Sequence, residues 1–361
     1  MLSIVLLGCA PAQPQAKPAA EATKPAAPAQ AAIQPVKLKV AQVVPPGDLQ
    51  AVLFVDFADR VTQRTNGAVT FEIFYGGALG GPPEMLDLVK SGAADLAHLH
   101  LWFTPDKVPI ADFEMTIPFN PTDPVLLQTA KSRMYDEFPE FHKELADNNA
   151  RIIAVHPITP YEILSKRPIT KLDDLKGRKI ALVGKYFGRW LAPTGAVPVV
   201  APSTDRYNMY QTGVIDGDIL NTNLIRSFKL YEQAKYISDV KLSSHSAVEI
   251  IMNLNTWNNL GPEVQKIILQ ASKEAVERHV KESVPKYMAE TIKAFADAGV
   301  TTTSFSKDDL AKWAPLIEDT PAEWAAEVEA KGYPGFKILK RWQEITTELG
   351  FKWAREWGVN R

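Results

Sequence analysis

His98 and His100, separated by one residue, carry the most metal-like spacing in the chain. Alternate positions on a strand share a face, so both imidazoles would point the same way. A zinc ion takes three or four protein ligands, and no third is evident in the sequence. The pair reads instead as part of a core or a cleft wall, where one ring can contact a solute. Gly76, Gly77, Gly80 and Gly81 form a second grouping, between an apolar run and Pro82-Pro83. They do not fit the G-x-G-x-x-G spacing of a dinucleotide site, and prolines stand where a P-loop needs Gly-Lys-Ser/Thr. The glycines let the backbone turn tightly and approach something closely, and the prolines suit the first turn of a helix. There is no Gly-x-Ser-x-Gly elbow, no His-Glu-x-x-His and no pair of carboxylates with supporting spacing. This inventory favours recognition over covalent chemistry.

Composition bounds the setting. The chain has 361 residues, 46% hydrophobic and 23% charged, with a formal net charge of -2. That is long enough for two domains, and no overall field recruits nucleic acid. The single cysteine, Cys9, excludes an intramolecular disulfide framework. It closes "MLSIVLLGC", which resembles a bacterial lipobox with Cys9 as the lipidated residue; a buried cysteine in a cytosolic protein is the alternative. Residues 10–35 are almost wholly Ala, Pro, Gln and Lys. Repeated proline forbids a continuous helix there, and too little apolar surface is present to offset ordering entropy. The stretch is expected to be an extended tether.

The elements that must position the glycines and histidines follow. "KLKVAQVV" (37–44) alternates as a strand does. Pro45, Pro46 and Gly47 make a turn, an amphipathic helix follows, and Asn66-Gly67 ends it. "VTFEIFY" (69–75) is a second strand, "PPEMLDLVKSG" a helix, and "AADLAHLHLW" (93–102) a third strand. This βαβαβ order predicts parallel strands. Ligands in such sheets sit beyond the carboxyl ends of the strands, where the glycine loop lies. In the second half, strands are expected in 151–158, 161–169, 178–184, 197–202, 214–221 and 247–254. A helix around Phe187–Gly195 follows the third of these. Another over Thr204–Gly213 has Ser203 or Thr204 as N-cap and Asp205 in its first turn. A long helical stretch from Pro262 to about Ala298 is expected to kink at Pro285. Residues 307–361 read as helices, with five tryptophans from Trp313 on.

"TNGAVTFEIFYGGALGGPPEMLDLVKSGAADLA", followed in order by "MTIPFNP", "KRPITKLDDLKGRKIA", "TGAVPV", "MYQTGVIDGD" and "GPEVQKIILQASKEAVERHVKE", resembles the extracytoplasmic solute receptors of TRAP transporters, the DctP-type family. The resemblance covers about residues 37–305. It implies an α/β, two-lobe, periplasmic-binding-protein-like fold with a cleft and hinge, each lobe a sheet flanked by helices. The implied organisation is a lipoprotein signal at 1–9 and a tether at 10–36. One lobe comprises 37–158 and about 246–285, the other 159–245 and about 286–310. C-terminal helices at 311–361 pack on the lobes. The implied function is capture of a small organic acid by hinge closure and delivery to TRAP membrane permease subunits. No cofactor and no metal are implied. The implied location is the periplasm, with a lipid anchor at Cys9 in the membrane. A solute-sensing lipoprotein partnering a membrane sensor kinase, or an enzyme on a similar body, would share much of this sequence.

The cleft then needs residues from strand ends. The first lobe offers Pro46 after the first strand, Gly77 after the second, and Trp102 with Phe103 after the third. The second lobe departs from the family. The position of the family's carboxylate-binding arginine aligns with Ala181, and a second family arginine aligns near Tyr161 or Glu162. The family's aromatic residue in this lobe aligns with Ser203, and its asparagine with Leu220, next to Asn221. The usual bidentate arginine clamp is therefore in doubt. Lys185 and Arg189 read either as a solvated helix face or as a replacement charge in the site, and Tyr161, Tyr186, Phe187 and Trp190 could make an aromatic wall instead. Ser203, Tyr207 and Asn221 complete the expected site. Asp218 stands where the family has a glutamine, and its charge could meet a cationic group on the solute or a bound cation, though neither is the leading reading.

Overall fold

Leu38 and Val40 turn inward and Lys37 and Lys39 outward along Val36–Ala41 (β1) in a computed structural model that describes residues 1–4, 8, 33–246 and 248–358. Cys9 and the tether up to residue 32 lie outside the described residues. β1 pairs in parallel with Val69–Phe74 (β2) on one side and Leu96–His100 (β3) on the other. The helix Leu49–Arg64 joins β1 to β2. Asp48 caps it by accepting from the Gln50 amide at 2.9 Å, and Asn66 and Gly67 leave it with positive φ. Val248–Asn253 (β10) lies antiparallel between β3 and Ala150–His156 (β4), which completes a sheet ordered β2-β1-β3-β10-β4. β10 is buried at every residue, as a central strand covered on both faces must be.

The second sheet is built from Tyr161–Ser165 (β5), Lys179–Leu182 (β6), Val197–Val200 (β7), Gly217–Asn221 (β8), Tyr236–Ser243 (β9) and Thr301–Ser304 (β11), in the order β11-β9-β5-β8-β6-β7. Two sheets flanked by helices give the two-lobe α/β fold. The chain changes sheets between β4 and β5 through residues 157–160, again between β9 and β10, and again through the long helical stretch leading to β11.

That stretch is not simply kinked at Pro285. The helix Gly261–Arg278 opens into a π-helical turn, His279–Ser283, and continues as Val284–Asp297 with Pro285 in its first turn. Proline cannot donate back along the helix, and the wider turn ahead of it absorbs the missing hydrogen bond. The helices Lys307–Leu316, Thr320–Glu329 and Gly335–Glu348 fasten themselves to the body through indole N–H groups, which need acceptors when buried. Trp313 donates to the Trp190 carbonyl at 2.8 Å, Trp324 to Pro109 at 2.9 Å and Trp342 to Asn120 at 2.9 Å. Trp190 in turn donates to Thr320 at 3.1 Å. No helix among the described residues is long and apolar enough to cross a membrane.

Candidate functional site

The carboxyl ends of strands from both sheets converge on one cavity of about 260 Å³. Val43 and Val44 follow β1; Gly76, Gly77, Gly81 and Pro82 follow β2; His100, Trp102 and Phe103 end β3. Across from them, Val183 follows β6, Pro202 to Thr204 follow β7, and Leu220, Leu224 and Phe228 end or follow β8. Tyr161 joins this edge because it starts β5, whose antiparallel register places it opposite Asn221 at the end of β8.

The glycine turn is shaped rather than open to an anion. Gly76 and Gly77 have φ of 64° and 75°. Their amides donate to the Val44 and Gln42 carbonyls at 3.3 and 2.9 Å, so neither is free to cradle a phosphate. A side chain at Gly77 would meet the Gly80 carbonyl oxygen at 3.2 Å in a backbone conformation that L-residues avoid. Gly81 then enters the proline-started turn Pro82–Glu84 that leads the helix Met85–Ser91.

The histidines divide their roles. His98 is buried and meets Gln42 through Nδ1 at 2.8 Å, whereas His100 meets Gln50 through Nε2 at 2.8 Å and reaches the cavity. Burial, with His156 nearby, holds His100 down at about 3, so its imidazole is neutral. No group of three or more metal-ligating side chains forms among the described residues. Trp102 stacks on His100 with centroids 4.8 Å apart and planes 7° apart, and Phe103 lies 5.8 Å from Trp102. The Trp102 Nε1 is buried without a partner among the described residues. Tyr161 stacks on His245 at 5.1 Å and touches Phe187 at 4.6 Å. Burial pushes its hydroxyl up, against a smaller opposing pull from Asn221, so it stays a neutral donor. The wall is thus aromatic and aliphatic, with the hydroxyls of Tyr161, Ser203 and Thr204, the His100 imidazole and the Trp102 indole N–H as its polar members.

Of the expected residues, the structure brings Gly77, Trp102, Phe103, Tyr161 and Ser203 together on this cavity. The others sit elsewhere. Pro46 is exposed on the turn beyond Val44. Tyr207 donates to Glu232 at 2.9 Å. Asn221 is fully buried and caps the helix Thr222–Ser227 by accepting from the Leu224 amide at 3.1 Å. Lys185 lies 3.4 Å from Glu327, and Arg189 is gripped by Glu318 and Glu323, with Nη1 2.7 Å from Glu323. The short helix Tyr186–Leu191 turns Phe187 and Trp190 inward, leaving Arg189 to face the C-terminal helices. Neither basic residue replaces a clamp in this geometry. Asp218 is likewise committed: it forms a fully buried pair with Arg206, whose Nη2 also donates to Ala201 at 2.9 Å. Burial pushes Asp218 up to about 6, with Arg206 pulling it down. Ser203 and Thr204 do not cap; they sit in or beside a tight turn, Ser203–Asp205, ahead of the helix Arg206–Gln211.

Sequence reasoning missed Val43, Val44, Val183, Thr204, Leu224 and Phe228 as lining residues. The same strand-end rule that picks Gly77 and Trp102 reaches the segments after β6, β7 and β8 once those strands are placed.

Residues 40–327 match the bacterial extracellular solute-binding protein family 7, DctP. A solute-binding protein of Sulfitobacter sp. strain NAS-14.1 is 26% identical over 285 residues, covering 76% of this chain and 82% of its own. The ectoine-binding periplasmic protein TeaA of Halomonas elongata is 25% identical over 292 residues, covering 78% of this chain and 83% of its own. A solved TRAP solute-binding protein from a marine metagenome, specific for aromatic acids and crystallised with 3-hydroxybenzoate, superimposes with a TM-score of 0.76 at 25% identity. That match covers 88% of this chain and 100% of the other.

Proposed function

The chain belongs to bacterial extracellular solute-binding protein family 7, the solute receptors of TRAP transporters, and from that premise we propose that its cleft captures a small organic acid carried on an aromatic ring. The observation behind this reading is the cavity itself. Trp102, Phe103 and Phe228 supply ring faces, and Ser203, Thr204 and Tyr161 supply hydroxyls. Ring pairs of this kind add stacking to the hydrophobic term. The structural relative with 3-hydroxybenzoate supports the ring as the common feature. A solute touching both walls stabilises the closed arrangement of the two lobes over the open one, which is how hinge closure is driven.

Delivery to a membrane permease, and an N-terminal lipid at Cys9 that keeps the receptor at the periplasmic membrane surface, complete the proposal. The lipobox-like run ending at Cys9 supports the anchor. Mass spectrometry of the mature N-terminus tests it: an acylated Cys9 is expected, and an unmodified terminus downstream of Cys9 removes the anchor. Calorimetry and thermal shift against aromatic acids, sugar acids and aliphatic dicarboxylates test the solute. An aromatic acid should raise the melting temperature by mass action on the folded form. Binding of aliphatic acids alone would remove the ring from the proposal.

A further inference from the structure

Among the described residues, no Lys, Arg, Asp or Glu lines the cavity walls. The lining ring of His100 is neutral, and the phenol of Tyr161 keeps its proton. Cations of the surrounding shell are already engaged. Arg206 is buried against Asp218. Lys185 and Arg189 face Glu327 and Glu323 on a C-terminal helix and Glu318 on the connection that leads into it. Arg226, on the helix beside Phe228, donates to Thr291 at 2.9 Å and lies 3.7 Å from Glu290.

A carboxylate moved from water to such a place without a counter-charge keeps only the hydrogen bonds that neutral donors offer it. A guanidinium clamp works differently: its strength comes from charge and bidentate geometry, and it is lost when the ligand's charge is removed. The donors here are the hydroxyls of Tyr161 and Ser203 and the buried, partnerless Trp102 Nε1, while the Thr204 hydroxyl donates to Asp205 at 3.1 Å and offers the cavity its lone pairs. A hydroxyl donates to or accepts from an amide or an alcohol as well as an acid, and the indole N–H donates to the oxygen of any of them, so no donor here requires a charged ligand.

Building on the aromatic-ring reading above, we infer that this receptor selects the ring and not the charge: a neutral carboxamide or alcohol of the same ring is a ligand of the same cavity. The solute class therefore widens from aromatic acids to planar, hydroxyl- or amide-bearing aromatic and heteroaromatic molecules.

The test is calorimetry on the intact receptor with three matched pairs: benzoate and benzamide, 3-hydroxybenzoate and 3-hydroxybenzamide, nicotinate and nicotinamide. Within each pair that binds, the dissociation constants of acid and amide should agree within about fivefold, less than a full factor of ten in the equilibrium constant. A preference for the acid of about 30-fold or more, the loss expected when one partner of a buried charge pair is removed, overturns the inference. That outcome leaves the aromatic-acid proposal standing and means that closure draws a cation into the cavity. Binding by none of the six compounds overturns the aromatic-ring proposal, and the inference falls with it. A Trp102→Ala receptor serves as the site control: acid and amide should weaken together, and an unequal loss places the two in different sites, which also overturns the inference.

Discussion

The indole of Trp102 lies parallel to the imidazole of His100, 4.8 Å away with 7° between the planes, at the point where β3 leaves the sheet. His100 is fixed from behind by Gln50, and Trp102 meets His245 edge-on at 5.6 Å. The indole face is therefore held ready before a ligand arrives, which lowers the ordering cost of binding. Replacing Trp102 with alanine should weaken an aromatic ligand by about 1–3 kcal/mol, roughly 5- to 150-fold, through lost apolar contact and stacking. Calorimetry against 3-hydroxybenzoate, with circular dichroism to confirm the fold, measures this. Unchanged affinity would place the ligand away from Trp102.

Arg189 makes the opposite prediction. It faces Glu318 and Glu323, not the cavity. Its pairs are partly exposed, where ion pairs contribute about 0–1 kcal/mol. Arg189→Ala should leave ligand affinity within about twofold and lower the melting temperature by only a few degrees. A tenfold loss of affinity would return Arg189 to the ligand.

Gly77 should resist any side chain. Its φ is 75°, and a β-carbon there would stand 3.2 Å from the Gly80 carbonyl oxygen. Gly77→Ala should therefore strain the turn by about 1–2 kcal/mol. The turn is also cavity wall, so affinity should fall more than stability does. Equal affinity with a lower melting temperature would make the turn purely structural.

Most of the fold was legible because it rests on local signals. β1 alternates, Asn66-Gly67 stops the first helix, and Gly76-Gly77 demand a turn whatever they pack against. The strand-end rule then led to Gly77, Trp102 and Phe103, which line the cavity. The misplaced residues share a different cause. Arg189 lies on, and Lys185 immediately before, a short helix whose outer face is decided by Glu318, Glu323 and Glu327, more than a hundred residues later in the chain. Asp218 looked available because its partner Arg206 sits on the preceding helix, and only the folded sheet brings the two together. The π turn at His279–Ser283 has no sequence mark beyond Pro285. Charge pairing between separate segments is what a single sequence conceals at the site, and in the fold the strands Tyr236–Ser243 and Thr301–Ser304 escaped the reading as well.

Glu162 carries a pH signature. Its Oε2 accepts from the Val240 and Lys241 amides at 2.9 and 3.2 Å. Burial, helped by Asp239, pushes its carboxyl up to about 8 from the ordinary 4.5. The folded state then holds this proton more tightly than the unfolded state does. Its stabilisation is fully present below about pH 4.5 and is lost as pH rises through about 8. Glu162→Gln keeps an acceptor for both amides and removes the titration. Between about pH 5 and pH 8, denaturant melts should show wild type losing on the order of 1–3 kcal/mol relative to the variant. Parallel profiles would mean that Glu162 is ionised in the folded protein throughout.

The buried histidines predict the reverse slope. His98, His156 and His279 form a row with ring centroids 5.5 and 5.3 Å apart. Burial holds His156 down at about 4 and keeps His98 and His279 well below the ordinary 6.5, with His156 adding to the effect on both and His100 and His279 adding to it on His98. His98 meets Gln42 and His156 meets the Pro157 carbonyl; among the described residues, no carboxylate pairs with any of the three. Groups depressed in this way contribute stability that is present above about pH 6.5 and is lost as pH falls through their folded-state values. The row also has a place in the fold. His156 ends β4 immediately before the chain crosses to β5, and His279 opens the π turn on the helical stretch that crosses to β11. Acid should therefore loosen the crossings before the sheets. Hydrogen exchange at about pH 4.5 should rise first in residues 156–160 and 279–283, and His156→Gln should recover on the order of 1–3 kcal/mol of the stability lost between about pH 6.5 and pH 4. Acid sensitivity unchanged in that variant would assign the loss to the other buried histidines or to the surface carboxylates that arginines hold low, Glu137, Glu274 and Glu348, because the raised buried carboxylates gain stability in acid.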